Sequence, residues 1–184
     1  RFPLIEGESV TFAWRGTADA VSLVHWVYGL ESANALALID GTDLWYLVLE
    51  IPPGSRVEYK YDVRRGETHQ LVEDPLNPHR ARDPFGQNSV LQAEGYAVPE
   101  WTLHDPLARA GVCEPLRFDS RELGGPCDCH IYLPARFRRT RLYPLLVVHD
   151  GNDYLRYAGM KTVLDNLIHR LEIPELVAVF TNSP

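Results

Sequence analysis

Between Leu145 and Phe180 the chain spells a short apolar run, an amphipathic stretch and a second apolar run. That order leaves little choice of fold. Leu145 to Val148 are four consecutive apolar residues, as expected for a strand covered on both faces. From Ala158 the pattern turns helical: Met160, Val163, Leu164, Leu167, Ile168 and Leu171 fall at helical spacing and define one apolar stripe. Pro174 ends the helix. Leu176 to Phe180 is again apolar throughout. Strand, helix, strand predicts a right-handed parallel crossover, the unit of an α/β sheet.

The first half follows a different grammar. Val10, Phe12 and Trp14 alternate with Thr11 and Ala13, the period of a half-buried strand. Ala20 to Val27 repeats it, with Val21 and Leu23 on one face. Asp40-Gly41 signals a turn before a strand over Leu44 to Ile51, which Pro52-Pro53-Gly54 breaks. Val57, Tyr59, Tyr61 and Val63 share one face of the next strand, and Arg65-Gly66 turns into Thr68 to Val72. Short strands between turn signals predict a sandwich of two sheets. Asp74 to Gln87, with three prolines and a glycine, predicts irregular structure before a closing strand at Ser89 to Leu91. Pro99 to about Gly111 reads as a connector, with Trp101 expected to pack between the halves. Leu116 to Phe118 and Cys129 to Leu133, around Gly124-Gly125-Pro126, read as an antiparallel hairpin.

Bulk properties limit the partners. Across 184 residues the apolar fraction is 45% and the net charge −7, with Lys and Arg mixed among Asp and Glu. Nothing there builds the basic face that nucleic acid requires. The densest basic run, Arg136 to Arg141, reads as a solvated turn, with a phosphate or acidic-ligand role as the alternative. No apolar run approaches the length that crosses a bilayer, so neither nucleic acid nor membrane is expected as a partner. The sequence opens at Arg1 without a signal peptide, and the expectation is a chain trimmed at its start. Three cysteines argue against a disulfide scaffold and for a reducing, cytoplasmic setting. Cys127-Asp128-Cys129-His130 invites a zinc reading. Adjacent strand residues point to opposite faces and no second ligand pair follows, so a plain strand and no metal are expected.

The polar knot His149-Asp150-Gly151-Asn152-Asp153 follows the first apolar run directly. In an open α/β sheet, ligands gather at the carboxyl ends of parallel strands. Gly151 permits a tight turn or a close backbone approach. Successive N–H groups there suit an anion, including the oxyanion of acyl transfer. The other reading is an ordinary Asp-Gly surface turn. Asp150 and Asp153 read as loop hydrogen-bonding groups or as a metal pair. Tyr154, Arg156 and Tyr157 read as the site mouth or as helix-entry packing.

The combination DPLNP…DPFGQNSVL, then HIYLPARFRRTRLYPLLVVHDGNDY, then the amphipathic helix resembles the enterochelin-esterase-like family of esterases over nearly the whole chain. The resemblance implies a mixed fold. Residues 1–98 would form an immunoglobulin-like β-sandwich related to glycogen-binding modules, and residues 99–112 a linker. Residues 113–184 would form the first part of an incomplete α/β-hydrolase domain. It implies that the backbone N–H of Asn152 supplies part of the oxyanion hole, with Gly151 making the approach. His149, Asp150, Tyr154 and Arg156 become substrate-binding candidates, His149 alternatively capping the strand end. No cofactor is implied. The implied substrate is a small-molecule ester, either a catecholate siderophore such as ferric enterobactin or an acylated sugar.

A serine esterase of that fold needs Gly-x-Ser-x-Gly at a strand-to-helix elbow, then an acid and a histidine. The sequence contains no Gly-x-Ser-x-Gly. Ser89 and Ser183 lack flanking glycines, and His169 falls in the helical segment. The expectation is the front part of a longer enzyme, inactive alone and requiring the remainder of its hydrolase domain. Leu176 to Phe180 would then be a bare sheet edge. The rival expectation is a non-catalytic carbohydrate-binding module using Trp26, Trp45, Tyr46 and Tyr59, with one of the neighbours Trp45 and Tyr46 facing inward. The loop Asp74 to Gln87, with His79, Arg80 and Arg82, is expected either to shape the site entrance or to be a plain surface connection.

Overall fold

The computed structural model describes residues 2–122 and 124–182. The chain divides into two compact units, residues 1–97 and 98–184.

The first unit contains ten strands: β1 (Leu4–Glu6), β2 (Ser9–Arg15), β3 (Ala20–His25), β4 (Ala33–Ala35), β5 (Ala37–Leu38), β6 (Leu44–Glu50), β7 (Arg56–Arg65), β8 (Thr68–Val72), β9 (Arg80–Asp83) and β10 (Gly86–Gln92). They form two antiparallel sheets, ordered β1-β2-β6-β5 and β4-β3-β7-β10-β9, with β8 also on β7. The alternation seen in sequence sets the core. Val10, Phe12, Trp14 and Trp45 from one sheet meet Val21, Leu23, Tyr59, Tyr61, Val63 and Leu91 from the other.

Burying two tyrosines obliges the fold to satisfy two hydroxyls. The Tyr59 hydroxyl donates to Asp74 Oδ2 at 2.6 Å and accepts from Asn77 Nδ2 at 3.1 Å. The Tyr61 hydroxyl lies 3.2 Å from the Ala13 carbonyl and 3.4 Å from Asp74 Oδ2. Burial first, then the Asp74 charge, pushes both phenols well above their ordinary pKa. Asp74 and Asn77 are themselves buried. The Asp74–Gln87 segment therefore differs from its expected irregular course. Its first residues plug the sandwich, and β9 forms a strand from polar residues. Arg80 anchors that strand, donating to the Asp74 carbonyl at 2.9 Å, to Glu73 at 3.2 Å and to the Asn77 carbonyl.

The second unit begins with a 3₁₀ turn (Glu100–Thr102). It continues through β11 (Val112–Ser120), β12 (Gly125–Leu133), β13 (Leu145–Val148), α1 (Gly151–Arg156), α2 (Met160–His169) and β14 (Val177–Thr181). Sheet order is β11-β12-β14-β13, and β13 runs parallel to β14 with Val147 opposite Val179. The crossover is thus parallel, as its sequence order predicts. The helical stretch expected from Ala158 forms α2, but Leu171, counted in its stripe, lies beyond the helix in the left-handed region, 89% exposed. A separate short helix that was not expected, α1, precedes it across Gly159 at φ 60°.

Two further expectations are corrected. β14 is not an edge, because it pairs with β12 on one side and β13 on the other; among the described residues the edges of this sheet are β11 and β13. And β13 is covered on one face only among the described residues. Leu146 and Val148 pack with Tyr132, Ala178 and Phe180 against Leu155, Met160, Leu164 and Ile168. On the other face Leu145 and Val147 are exposed, as are Val112, Leu116 and Phe118 on β11. Register places all five on that same face.

Asp165 ties the connector to α2. Its carboxylate accepts from the Gly111 N–H at 2.7 Å, the Tyr132 hydroxyl at 2.8 Å and Lys161 Nζ at 2.7 Å. The neighbouring Asn166 donates to the carbonyls of Trp101 (2.9 Å) and Leu103 (2.7 Å). Removing one partner from a buried, hydrogen-bonded charge strands the others. Asp165→Ala is therefore expected to destabilise this unit by about 3 kcal/mol. Urea titration followed by hydrogen exchange in β12 and α2 measures it. A loss below about 0.5 kcal/mol, the scale of a plain surface change, contradicts the assignment.

Candidate functional site

Because β13 and β14 are parallel, their carboxyl ends open at the same rim of the sheet. His149 and Asp150 follow one strand, Asn182 the other. Asp150 takes φ 52° and ψ 39°, an uncommon conformation for a residue with a Cβ, though aspartate bears it better than most. That bend turns its carbonyl into the cap of α1, accepting from the Asp153 N–H at 2.9 Å and the Tyr154 N–H at 3.2 Å.

Gly151 is buried against β14. A Cβ added there would stand 2.4 Å from Phe180 Cβ and 2.5 Å from the Phe180 carbonyl carbon. Of the two roles open to this glycine in sequence, close backbone approach is the one observed. The Asn152 N–H donates to Asn182 Oδ1 at 3.2 Å, and Asn182 Nδ2 reaches the Asp128 carbonyl at 3.5 Å. Thr181 Oγ1 donates to the Val148 carbonyl at 3.3 Å and lies 3.3 Å from His149 Nδ1. Asp150, Asn152, Asp153 and Asn182 line a cleft of about 210 Å³.

The structure thus brings Asp150 and Asn152 together at one cleft, over the buried Gly151. His149 stands beside it, exposed, at the strand end. Arg156 and Tyr154 lie elsewhere. The Arg156 guanidinium stacks 5.1 Å from the Tyr157 ring, and Tyr154 is exposed outside the cleft lining. Thr181 and Asn182 were not anticipated, although the rule about carboxyl ends applies to the second strand as much as to the first. Two carboxylates in the lining oppose negative charge, so any anion held here depends on the amide donor. Among the described residues, no group of three or more His, Cys, Asp or Glu converges to hold a metal ion.

Other reactive groups are placed away from this chemistry. Ser89 is fully buried in the first unit, its Oγ accepting from the Asp74 N–H at 2.7 Å. Ser183 lies outside the described residues. His169 ends α2 and is exposed. Cys129 pairs in register with Thr181, close to the rim, but burial, then Cys127 and Asp128, raises its thiol pKa. That disfavours the thiolate a nucleophile needs. His130 Nδ1 is buried with no hydrogen-bond partner among the described residues. In the first unit Trp45 and Tyr59 belong to the core while Trp26 and Tyr46 are exposed, so the four aromatics form no common platform.

Comparison with known proteins adds the following. Residues 120–183 match the family model described as Putative esterase. The enterobactin esterase of Shigella flexneri, crystallised in the presence of enterobactin, superposes with a TM-score of 0.66 at 22% identity, over 95% of this chain and 52% of its own. The ferric enterobactin esterase of Salmonella typhimurium gives 0.69 at 20% identity, over 95% and 53%. At these identities the likeness is one of fold. The chain spans about half the length of these solved relatives. No curated protein matches it by sequence.

Gly151→Ala is expected to force the start of α1 away from Phe180 and to destabilise the unit by about 3 kcal/mol, the upper end of overpacking costs. The shift in urea midpoint, read with hydrogen exchange at Ala178–Phe180, tests this. A variant as stable as the parent would show that the close approach relaxes freely.

Proposed function

We propose that this chain, which is enterochelin-esterase-like in sequence pattern and fold, is the front portion of a serine carboxylic-ester hydrolase. In this reading residues 1–98 are its immunoglobulin-like module, 99–112 a linker and 113–184 the opening of an α/β-hydrolase domain. The order β11-β12-β14-β13, with a parallel crossover and an open β13 edge, supports it, since further strands of such a sheet would add at that edge. The observation that carries the functional reading is the β13-to-α1 turn. It sets Asn152 in the lining of a cleft on the strand-end rim, its N–H donating to Asn182 Oδ1 in the same lining, which supports a reading of that amide as the oxyanion donor a hydrolase of this fold takes from such a loop.

The reaction is acyl transfer. A serine oxygen from outside these 184 residues attacks the ester carbonyl, and the carbonyl oxygen becomes an oxyanion. Collapse expels the alcohol, and water then releases the carboxylate from the acyl-enzyme. The role of this chain is to hold the oxyanion. The Asn152 N–H, bound at rest to Asn182 Oδ1, transfers to the substrate oxygen as the Asn182 carboxamide withdraws. Gly151 fixes where that amide stands. Asp150 shapes the turn, and His149 borders the cleft beside Thr181.

The substrate proposed is a small-molecule ester of the catecholate siderophore class. The Shigella flexneri relative solved in the presence of enterobactin supports that choice. A cytoplasmic setting is proposed on the three free thiols of Cys113, Cys127 and Cys129. No helix among the described residues is long and apolar enough to cross a membrane.

Two measurements test the reading. The pure 184-residue chain is expected to hydrolyse neither p-nitrophenyl acetate nor enterobactin above buffer. Turnover abolished by a serine-directed inhibitor would contradict it. In the longer polypeptide that carries the nucleophile, Asn152→Pro removes the donor and is expected to lower kcat by about 10²–10³ with little change in KM. An unchanged kcat in a folded variant would remove Asn152 from the oxyanion hole.

A further inference from the structure

A second cleft in this unit lies at the opposite end of the sheet from Asn152. Its volume is about 720 Å³, within the range of small-molecule sites. Four segments build it: the connector at Arg109, the exit of β12 at Ala135 and Arg136, the approach to β13 at Arg141, and the passage from α2 to β14. Ile168, Ile173 and Pro174 give it an apolar wall. Leu171, held in the left-handed region at φ 59° and 89% exposed, adds an uncovered apolar side chain to the lining.

The charges are not arranged like a solvated turn. Arg141 is fixed: its guanidinium lies 5.0 Å from the Tyr143 ring, which stacks on Phe137 at 5.2 Å, and it pairs with Glu175. That pair is neutral. Arg109 and Arg136 also line the cleft, and neither guanidinium has an acceptor among the described residues. Glu172 is the remaining carboxylate of the lining. With His169, which also lines the cleft, counted as neutral, two unpaired guanidiniums against one carboxylate leave the cleft at +1, in a chain whose net charge on the same count is −7.

We infer that this cleft is a binding site for an organic monocarboxylate with an apolar body. The guanidinium fork matches a carboxylate. A residual charge of +1 matches a single negative charge, and Glu172 and Glu175 oppose a polyanion. The apolar wall rewards an aryl or alkyl body and offers nothing to a fully hydrated ion such as phosphate. The inference stands on the geometry of the cleft and does not need the esterase reading. Ester hydrolysis does release a carboxylate, so the ligand class coincides with that of a product.

The test uses the 184-residue chain, titrated calorimetrically at low salt with sodium benzoate, benzyl alcohol and inorganic phosphate. Benzoate is expected to bind saturably at one site in the millimolar range or tighter. Benzyl alcohol and phosphate are each expected to bind at least about tenfold more weakly. The double variant Arg109→Gln/Arg136→Gln should lose at least about tenfold in benzoate affinity, as expected for charge-assisted hydrogen bonds. Arg139→Gln, in the same basic run but outside the lining, should not. Arg109 and Arg136 are exposed and have no side-chain partner among the described residues, so the double variant should keep the parent urea midpoint. If it does not, the comparison of benzoate with benzyl alcohol on the parent chain decides alone. Equal affinity for those two ligands, no saturable benzoate binding, or full affinity retained in the folded double variant would each overturn the proposal.

Discussion

In the second unit the backbone at Gly151 stands hard against Phe180, where an added Cβ would stand 2.4 Å from the Phe180 side chain. The rest of the rim follows from it. For α1 to begin directly above the end of β14, the chain leaving β13 must reverse within two residues. Asp150 absorbs that reversal in a left-handed conformation. The next amide, Asn152, then arrives within hydrogen-bond reach of Asn182. A side chain at position 151 would separate helix from strand and take the amide with it. The glycine is thus required by contact rather than by its own dihedral freedom.

Much of this was legible in the residues themselves. The parity of Val57, Tyr59, Tyr61 and Val63 places four side chains on the inner face of β7, where Tyr59, Tyr61 and Val63 are buried and Val57 is partly so. Trp45 faces in and Tyr46 out, as neighbours on a strand must. The parallel crossover was legible because an apolar run, a helical stripe and a second apolar run admit few other arrangements. What escaped has physical reasons. α1 is six residues long with no apolar stripe, so its sequence looks like a turn. β1, β4 and β5 have two or three residues each, too few to show a period. β9 reads Arg-Ala-Arg-Asp, and side-chain bonds from Arg80 hold it where an apolar face would hold another strand. Asn182 acts through its partner across the crossover, a relation that no local pattern encodes.

The two units solve one problem in the same way. Each buries a tyrosine under a helix or sheet and supplies a buried carboxylate to receive its hydroxyl: Tyr59 with Asp74, Tyr132 with Asp165. In each, the same carboxylate also accepts a backbone N–H from irregular chain, Leu76 in one case and Gly111 in the other. Replacing either acid therefore releases a loop as well as a core hydroxyl. This couples segments that carry little apolar surface to the stability of the sheets beneath them.

The ten residues of β7 outrun any single neighbour. Along one edge β3 pairs with residues 59–64, while the other edge is shared between β10 at residues 56–59 and β8 at residues 61–65. Among the described residues, the hydrogen-bonded path joining β3 to β10 or β8 runs through this strand alone. Delete it, and the sheet falls into three disconnected pieces: β3 with β4, β10 with β9, and β8 by itself. Loss of a peripheral strand trims the layer, whereas loss of β7 dissolves its connectivity at a stroke. A residue buried on this strand accordingly governs whether the layer exists, not merely how wide it is.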